Sequence, residues 1–97
     1  MATLFIFSHA PHADHYDART LDLARAGDGV LFIEDAVYAA GDRPTALDAA
    51  LAAARSRGVT CYALQADVEA RGVRPQCATV DYAGWVKLLE QYDRAVH

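Results

Sequence analysis

The stretch Ala2–Phe7, with the sequence ATLFIF, decides the fold that this chain can adopt. It is a short, continuous apolar run of strand-forming residues, which is typical of a strand buried on both faces, as in a parallel sheet. Two further runs of this kind follow at Gly29–Ile33 and Val59–Leu64, and a briefer one lies at Ala78–Val80. These runs predict three more strands of the same sheet.

Helical segments separate the predicted strands. Asp14, Pro44 and Asp81 mark the predicted starts of three helices, because aspartate caps helix N-termini and proline is tolerated in the first turn. Gln65–Arg71 predicts one or two additional helical turns. Strand and helix therefore alternate, which predicts βαβ units with right-handed crossovers. The expected fold class is α/β, a single-domain αβα sandwich over residues 1–97 with a mainly parallel sheet of four or five strands.

Two of the predicted helices carry apolar stripes at the i, i+3, i+4, i+7 spacing of an amphipathic helix. The stripes are Leu47, Ala50, Leu51 and Ala54 in the second helix, and Trp85, Leu88, Leu89 and Tyr92 in the last. We expect both stripes to face the sheet.

The composition excludes several classes of protein. The chain has 97 residues, of which 54% are hydrophobic and 23% charged, a balance typical of a globular domain. Its formal net charge of −4 argues against a broad basic face, so we expect no direct nucleic-acid binding. No apolar run approaches the roughly 18 residues that span a membrane, and no basic segment precedes the apolar start. We expect a cytoplasmic protein without membrane association.

The chain contains two cysteines, Cys61 and Cys77, without the CxxC spacing of zinc or thioredoxin-like sites. We expect both to be reduced thiols. Cys61 lies within a predicted strand and is expected to be buried and inert. Cys77 follows Arg74 and Pro75 in an irregular segment, where exposure and a nearby cation favour the thiolate. Cys77 is therefore a candidate persulfide-carrying residue.

His9, His12 and His15 recur at every third position after the first strand, in a place where α/β folds put ligands. Pro11 interrupts the helical geometry that would direct the three imidazoles to one side. We interpret these histidines as exposed loop residues, and we predict no metal site and no cofactor.

Glu34 and Asp35 are adjacent carboxylates at the end of the second predicted strand. Neighbouring residues of a strand point to opposite faces, so these two are not a natural acid/base pair. We expect one to accept hydrogen bonds from nearby backbone N–H groups and the other to be solvated. The chain also lacks a glycine-rich phosphate loop and a GxSxG nucleophile elbow. The residues by themselves therefore identify no catalytic site.

Three segments occur in an order and spacing that carry a family resemblance: Phe32–Ala40 (FIEDAVYAA), Tyr62–Val73 (YALQADVEARGV) and Val80–Leu88 (VDYAGWVKL). Together they resemble the DsrH/TusB family of sulfur-relay subunits, and the resemblance covers essentially the whole chain. The motif residues that carry it are Glu34, Asp35, Asp67, Arg71, Gly72, Asp81, Tyr82 and Trp85.

The resemblance implies an αβα sandwich that assembles with DsrE/TusD-like and DsrF/TusC-like subunits, commonly as a heterohexamer. In the Tus branch, such complexes pass persulfide sulfur from upstream to downstream carrier proteins, toward 2-thiolation of the tRNA wobble uridine. In the Dsr branch, they serve sulfur oxidation. The expected role is a non-carrying subunit that supports tRNA thiolation and has no activity alone. The alternatives are a DsrH-type subunit of a sulfur-oxidation complex and a persulfide carrier that uses Cys77.

The family's carrier position distinguishes between these roles. Sulfur-oxidising members have a cysteine in the first helix, just before a leucine, and the matching place in this chain holds Thr20, before Leu21. A hydroxyl cannot hold a persulfide, because the relay needs a thiolate to attack and a sulfur to carry. The resemblance therefore favours the Tus-like, non-carrying role.

Tyr38 and Tyr82 are the candidate interface residues, because tyrosine is enriched at protein interfaces. The apolar segment Ala36–Ala40 follows a strand end, and we expect it to belong to the same surface. A chain that normally has partners is expected to self-associate when it is isolated.

Overall fold

The structure, a computed structural model, describes residues 1–11 and 16–97. Five parallel strands form one sheet in the order β4-β3-β2-β1-β5. The strands are β1 (Thr3–Phe7), β2 (Gly29–Phe32), β3 (Thr60–Leu64), β4 (Ala78–Val80) and β5 (Arg94–Val96). The α-helices are α1 (Tyr16–Asp22), α2 (Asp48–Ser56), α3 (Gln65–Ala70) and α4 (Tyr82–Gln91), and Glu34–Ala40 forms a 3₁₀ helix. The predicted α/β fold with a mainly parallel sheet is confirmed.

The order of the strands places a topological switch beside β1. The chain runs outward from β1 through β2 and β3 to the edge strand β4. Helix α4 then leads back to β5, which pairs with the other side of β1, Leu4 opposite Ala95. In open α/β sheets, ligands bind outside the carboxyl ends of the strands where the strand order reverses. This fold therefore directs attention to the carboxyl ends of β1 and β5.

Each face of the sheet is covered by its own hydrophobic cluster. On one face, alternate strand residues such as Phe7 and Phe32 pack with Leu21 of α1 and Leu51 of α2, and the two phenylalanine rings stack with centroids 5.7 Å apart. The other face is covered by α4, whose Leu88 joins a separate cluster of buried residues. This alternation follows from the two-residue period of a strand, and it confirms that helices flank both faces.

Gly29 permits a close approach on the α4 face. A Cβ atom at this position would overlap the phenol of Tyr92. Burial is the largest cause that raises the pKa of Tyr92, and a hydrogen bond with Tyr62 is the second. Both disfavour the phenolate form. The tyrosine thus packs against bare backbone at the start of β2.

The predicted helix starts are confirmed at one place and corrected at another. Asp81 caps α4, because its Oδ1 accepts a hydrogen bond from the Gly84 amide at 2.7 Å. The helix predicted to begin at Pro44 begins instead at Asp48. The reason is local: the Thr45 amide and hydroxyl both donate to the Asp48 carboxylate, at 3.1 and 3.2 Å, and this pairing holds the chain in a turn before the helix. Asp14 lies outside the described residues.

Two expectations about exposure were wrong. The Ala36–Ala40 segment is not a surface strip: the 3₁₀ geometry buries its four small apolar residues and leaves only Tyr38, 44% exposed, pointing outward. In α4, Leu89 does not face the sheet but is 46% exposed. The stripe of α2 is confirmed, with Leu47 and Leu51 buried.

Among the helices in the described part of the chain, none is both long enough and apolar enough to cross a membrane.

Candidate functional site

The acidic and basic motif residues converge in space, although they lie in separate segments of the sequence. Arg71, just after α3, forms an ion pair with Asp35 of the 3₁₀ helix, Nε to Oδ1 at 2.9 Å. Its Nη1 lies 3.4 Å from Oδ1 of Asp67, one turn earlier. The hydrogen bond with Asp35 is the main cause that raises the pKa of the Arg71 guanidinium. The guanidinium therefore joins the loop after β2 to the helix after β3.

Asp67 also stabilises a strained backbone. Glu34 has a φ of 52°, in the left-handed region that residues other than glycine rarely adopt. The Oδ2 atom of Asp67 accepts a hydrogen bond from the Glu34 amide at 2.6 Å. The sequence-based expectation that Glu34 and Asp35 would divide into an amide-binding and a solvated carboxylate is corrected. Glu34 contributes its amide, Asp67 supplies the accepting carboxylate, and Asp35 pairs with Arg71.

A substitution at Asp67 tests whether these contacts stabilise the fold. Asp67→Ala removes the acceptor of the Glu34 amide, at a strained backbone position, and one partner of Arg71. We expect the free energy of unfolding to fall by about 2 kcal/mol, since hydrogen bonds to charged groups contribute about 1.5–3 kcal/mol. Urea denaturation followed by circular dichroism measures the change. Glu69→Ala, in the same helix, is the matched control, because the bond that its carboxylate accepts, at 3.0 Å, comes from the Gln65 side chain and not from strained backbone. Equal stability of the two variants would contradict this role.

A small cleft of about 200 Å³ opens beside the network. Tyr38, Arg43, Arg71 and Arg74 line it, together with Asp42. Because Asp35 and Asp67 engage Arg71, the positive charge of this guanidinium is compensated within the chain. The cleft thus presents Tyr38 beside basic side chains at the carboxyl ends of β2 and β3.

A larger cleft, about 300 Å³, lies at the topological switch between β1 and β5. Its polar lining is Ser8, His9, Asp17, Thr20 and His97. The His97 imidazole Nε2 lies 3.3 Å from the Ser8 hydroxyl, within hydrogen-bonding distance. Thr20, which the family resemblance matches to the carrier position, is half-buried here. We call this the β1–β5 cleft. It offers hydroxyl and imidazole groups, but no thiol among its described lining residues.

One of the three histidines that follow β1 lies among the described residues. His9 lines the β1–β5 cleft, whereas His12 and His15 lie outside the described residues. Within residues 1–11 and 16–97, no three His, Cys, Asp or Glu side chains are grouped so that they could hold a metal ion.

The two cysteines differ from the expectation that they would be separate, reduced thiols. Cys61 is buried in β3, 6% exposed as predicted, but it forms a disulfide with Cys77. The strand register explains the pairing. Tyr62 lies opposite Ala78, so the residues one step earlier, Cys61 and Cys77, are also neighbours, with Cα atoms 5.4 Å apart. Cys77 is thus not a free thiol in this structure, and a carrier role would first require reduction.

The aromatic motif residues of α4 have different environments. Tyr82 is 62% exposed, whereas Trp85 packs against the cluster on the α4 face. The indole Nε1 of Trp85 is buried and has no hydrogen-bond acceptor among the described residues. Val86 and Leu89 follow Tyr82 at i+4 and i+7 and are 55% and 46% exposed, so they extend an apolar stripe that sequence reasoning missed. We call Tyr82, Val86 and Leu89 the outer stripe of α4.

Comparison with known proteins identifies the class. The family model described as "DsrH like protein" matches residues 9–95, and the chain belongs to the DsrH family. Protein TusB of Photorhabdus laumondii is 33% identical over 93 residues, which cover 92% of this chain and 93% of that protein. Protein TusB of Erwinia tasmaniensis is 38% identical over 72 residues, 70% of this chain and 72% of that protein. The predicted family resemblance is confirmed.

The fold also has a solved counterpart. The solution NMR structure of protein Tm0979 from Thermotoga maritima superposes with a TM-score of 0.64. The match covers 94% of this chain and 93% of that one, at 20% sequence identity. At this identity the likeness concerns the fold alone.

Proposed function

We propose that this chain is a non-carrying subunit of a sulfur-relay complex, which supports 2-thiolation of the tRNA wobble uridine. The observation that carries the proposal is the similarity to proteins named TusB, which covers 92% of the chain in one case and 70% in the other. In the proposed complex, DsrE/TusD-like and DsrF/TusC-like subunits are the partners, and the persulfide cysteine belongs to the DsrE/TusD-like one.

Thr20 supports the non-carrying role. It lines the β1–β5 cleft, and the family resemblance matches it to the carrier position. Its hydroxyl has neither the nucleophilicity of a thiolate nor a sulfur to form a persulfide. A relay subunit with this residue contributes shape and contacts, while its partners provide the sulfur chemistry.

The first test is therefore a pair of variants at Thr20. Thr20→Ala is expected to leave tRNA thiolation by the assembled complex unchanged, because it removes a group without carrier chemistry. Thr20→Cys is expected to gain about 32 Da when the chain meets a persulfide donor, and to lose that mass on reduction. Intact-mass spectrometry and quantification of 2-thiouridine are the measurements. A large loss of 2-thiouridine in Thr20→Ala, with the complex still assembled, would show that the hydroxyl is required.

Assembly requires a contact surface, and two places support one. Tyr38 lies half-exposed beside the arginine-lined cleft, and the outer stripe of α4 exposes Tyr82 with two aliphatic neighbours. Apolar and aromatic side chains of this kind are typical of the buried centre of an interface. We propose that partner subunits cover these residues, and that the isolated chain self-associates through them.

The alternative role, in which Cys77 carries a persulfide, depends on the redox state of the chain. While the Cys61–Cys77 bond is intact, Cys77 has no thiolate with which to accept sulfur. The carrier alternative therefore predicts persulfide on this chain only after a reductant has opened the disulfide. Absence of any such species from the reduced complex would favour the non-carrying role.

A further inference from the structure

The disulfide joins two cysteines whose surroundings are unequal. Cys61 lies within the buried cluster between the sheet and helices α1 and α2. Cys77 is only partly buried and lines a cleft of about 150 Å³ that is open to solvent. After reduction, the Cys77 thiol is therefore the more accessible of the two, because Cys61 is buried.

The cleft also provides a cation near the accessible sulfur. The Arg55 guanidinium lines it and donates from Nη1 to the carbonyl of Gln76, the residue before Cys77, at 3.4 Å. Asp48 lines the same cleft, but its carboxylate accepts two hydrogen bonds from Thr45. A nearby guanidinium favours the thiolate form of a reduced cysteine, whereas burial in an apolar cluster disfavours it. In the reduced chain, Cys77 is therefore the thiol that faces the open cleft, and Cys61 lies next to it within the buried cluster.

We propose that Cys61 and Cys77 form a redox-active pair that accepts the outer sulfur of a hydropersulfide and releases it as sulfide. This activity goes beyond the proposed relay function. It is also consistent with a non-carrying subunit, since sulfur bound here is discharged rather than passed forward.

The reaction has two balanced steps. The Cys77 thiolate attacks the outer sulfur of R–S–SH; the S–S bond of the donor breaks, R–S⁻ leaves, and Cys77–S–SH forms. Cys61 then loses its proton to a solvent base such as hydroxide or buffer, and its thiolate attacks Sγ of Cys77. The S–S bond of the persulfide breaks and HS⁻ leaves. The sulfane sulfur is reduced by two electrons, and each cysteine is oxidised by one to form the disulfide. A dithiol reductant returns the pair to the reduced state.

The geometry favours the second step. The Cα atoms lie 5.4 Å apart on paired segments, so the second thiol is already in place when the persulfide forms. A reaction between groups held in this way is effectively unimolecular, and it outpaces attack by a thiol from solution.

The test uses the full chain, reduced and freed of small thiols, with glutathione hydropersulfide as the probe. Wild type is expected to release one sulfide per chain, while its mass falls by about 2 Da as the disulfide forms. Cys61→Ser is expected to retain about 32 Da on Cys77 and to release little sulfide. Cys77→Ser is expected to do neither, because its remaining thiol is buried.

Stable persulfide on wild-type Cys77, or equal sulfide release from wild type and Cys61→Ser, would overturn the proposal. Repeating the reaction in concentrated guanidinium controls for unfolding, since both single variants should then acquire persulfide. If the native and denatured chains gave the same pattern, the fold would not create the asymmetry, and the proposal would fail. None of these outcomes involves partner subunits or tRNA, so they leave the proposed relay function to its own test.

Discussion

Reduction of the Cys61–Cys77 disulfide is expected to lower the free energy of unfolding by about 3 kcal/mol. The bond joins residues with a sequence separation of 16, and the loss of unfolded-state entropy for a loop near this length corresponds to about 3 kcal/mol. For a domain of this size, each 1 kcal/mol shifts the melting temperature by about 4–8 °C, so a fall of more than about 10 °C should be observed. Thermal and urea unfolding, with and without reductant, measure the effect.

The double variant Cys61→Ala/Cys77→Ala is the control for this experiment. It lacks the cross-link, so its unfolding midpoint should be low and should not respond to the reductant. If the oxidised and reduced forms of the wild type, distinguished by mass, unfolded at the same midpoint, the cross-link would contribute no stability.

The sequence could not predict this bond, although it predicted the strands that bring the two cysteines together. Continuous apolar runs such as Ala2–Phe7 indicate strands because a sheet covered on both faces requires apolar side chains throughout. Which residues lie opposite each other depends on the register between β3 and β4, which leaves no mark in either segment alone. Cys61 and Cys77 become neighbours only once Tyr62 is placed against Ala78.

The family resemblance marked the residues of the network around Arg71, but it did not indicate the contacts between them. Glu34 and Asp67 are 33 residues apart, and nothing in their spacing indicates that a carboxylate of α3 accepts a hydrogen bond from the strained amide at the start of the 3₁₀ helix. Family resemblance marked Asp35 and Arg71 as well, and their contact supplies the physical reason for all four residues. These contacts form because the carboxyl ends of β2 and β3 lie side by side in the sheet, and neither segment alone shows this.

Local chemistry explains the smaller differences. The pairing of Thr45 with Asp48 moves a helix start that Pro44 had suggested, because two side-chain bonds stabilise the turn more specifically than a proline can. Helix α4 is apolar over too wide an arc for periodicity to decide its inner side. Trp85 and Leu88 face the sheet, while Leu89 faces outward, and only packing distinguishes them.

The exposed part of this apolar arc is the outer stripe of α4, and a charge placed there is expected to have a large effect on assembly. Tyr82→Asp is expected to abolish assembly with the proposed DsrE-like and DsrF-like partners, because a covered interface would bury a charge without a partner. Such burial costs about 3 kcal/mol or more, which corresponds to a more than hundredfold loss of affinity. The isolated chain should stay folded, because Tyr82 is 62% exposed and an aspartate in the first helical turn interacts favourably with the helix dipole.

Ala83→Asp is the matched control for Tyr82→Asp. Ala83 is the next residue of the same helical turn, it is also exposed, and it receives the same charge, but it lies about 100° around the helix from Tyr82, off the outer stripe. Size-exclusion chromatography of the co-expressed subunits, with circular dichroism of each isolated variant, should show Ala83→Asp eluting in the complex and Tyr82→Asp eluting alone. Co-elution of folded Tyr82→Asp with both partners at the wild-type position would place the interface elsewhere, and attention would move to Tyr38 and the arginine-lined cleft beside it.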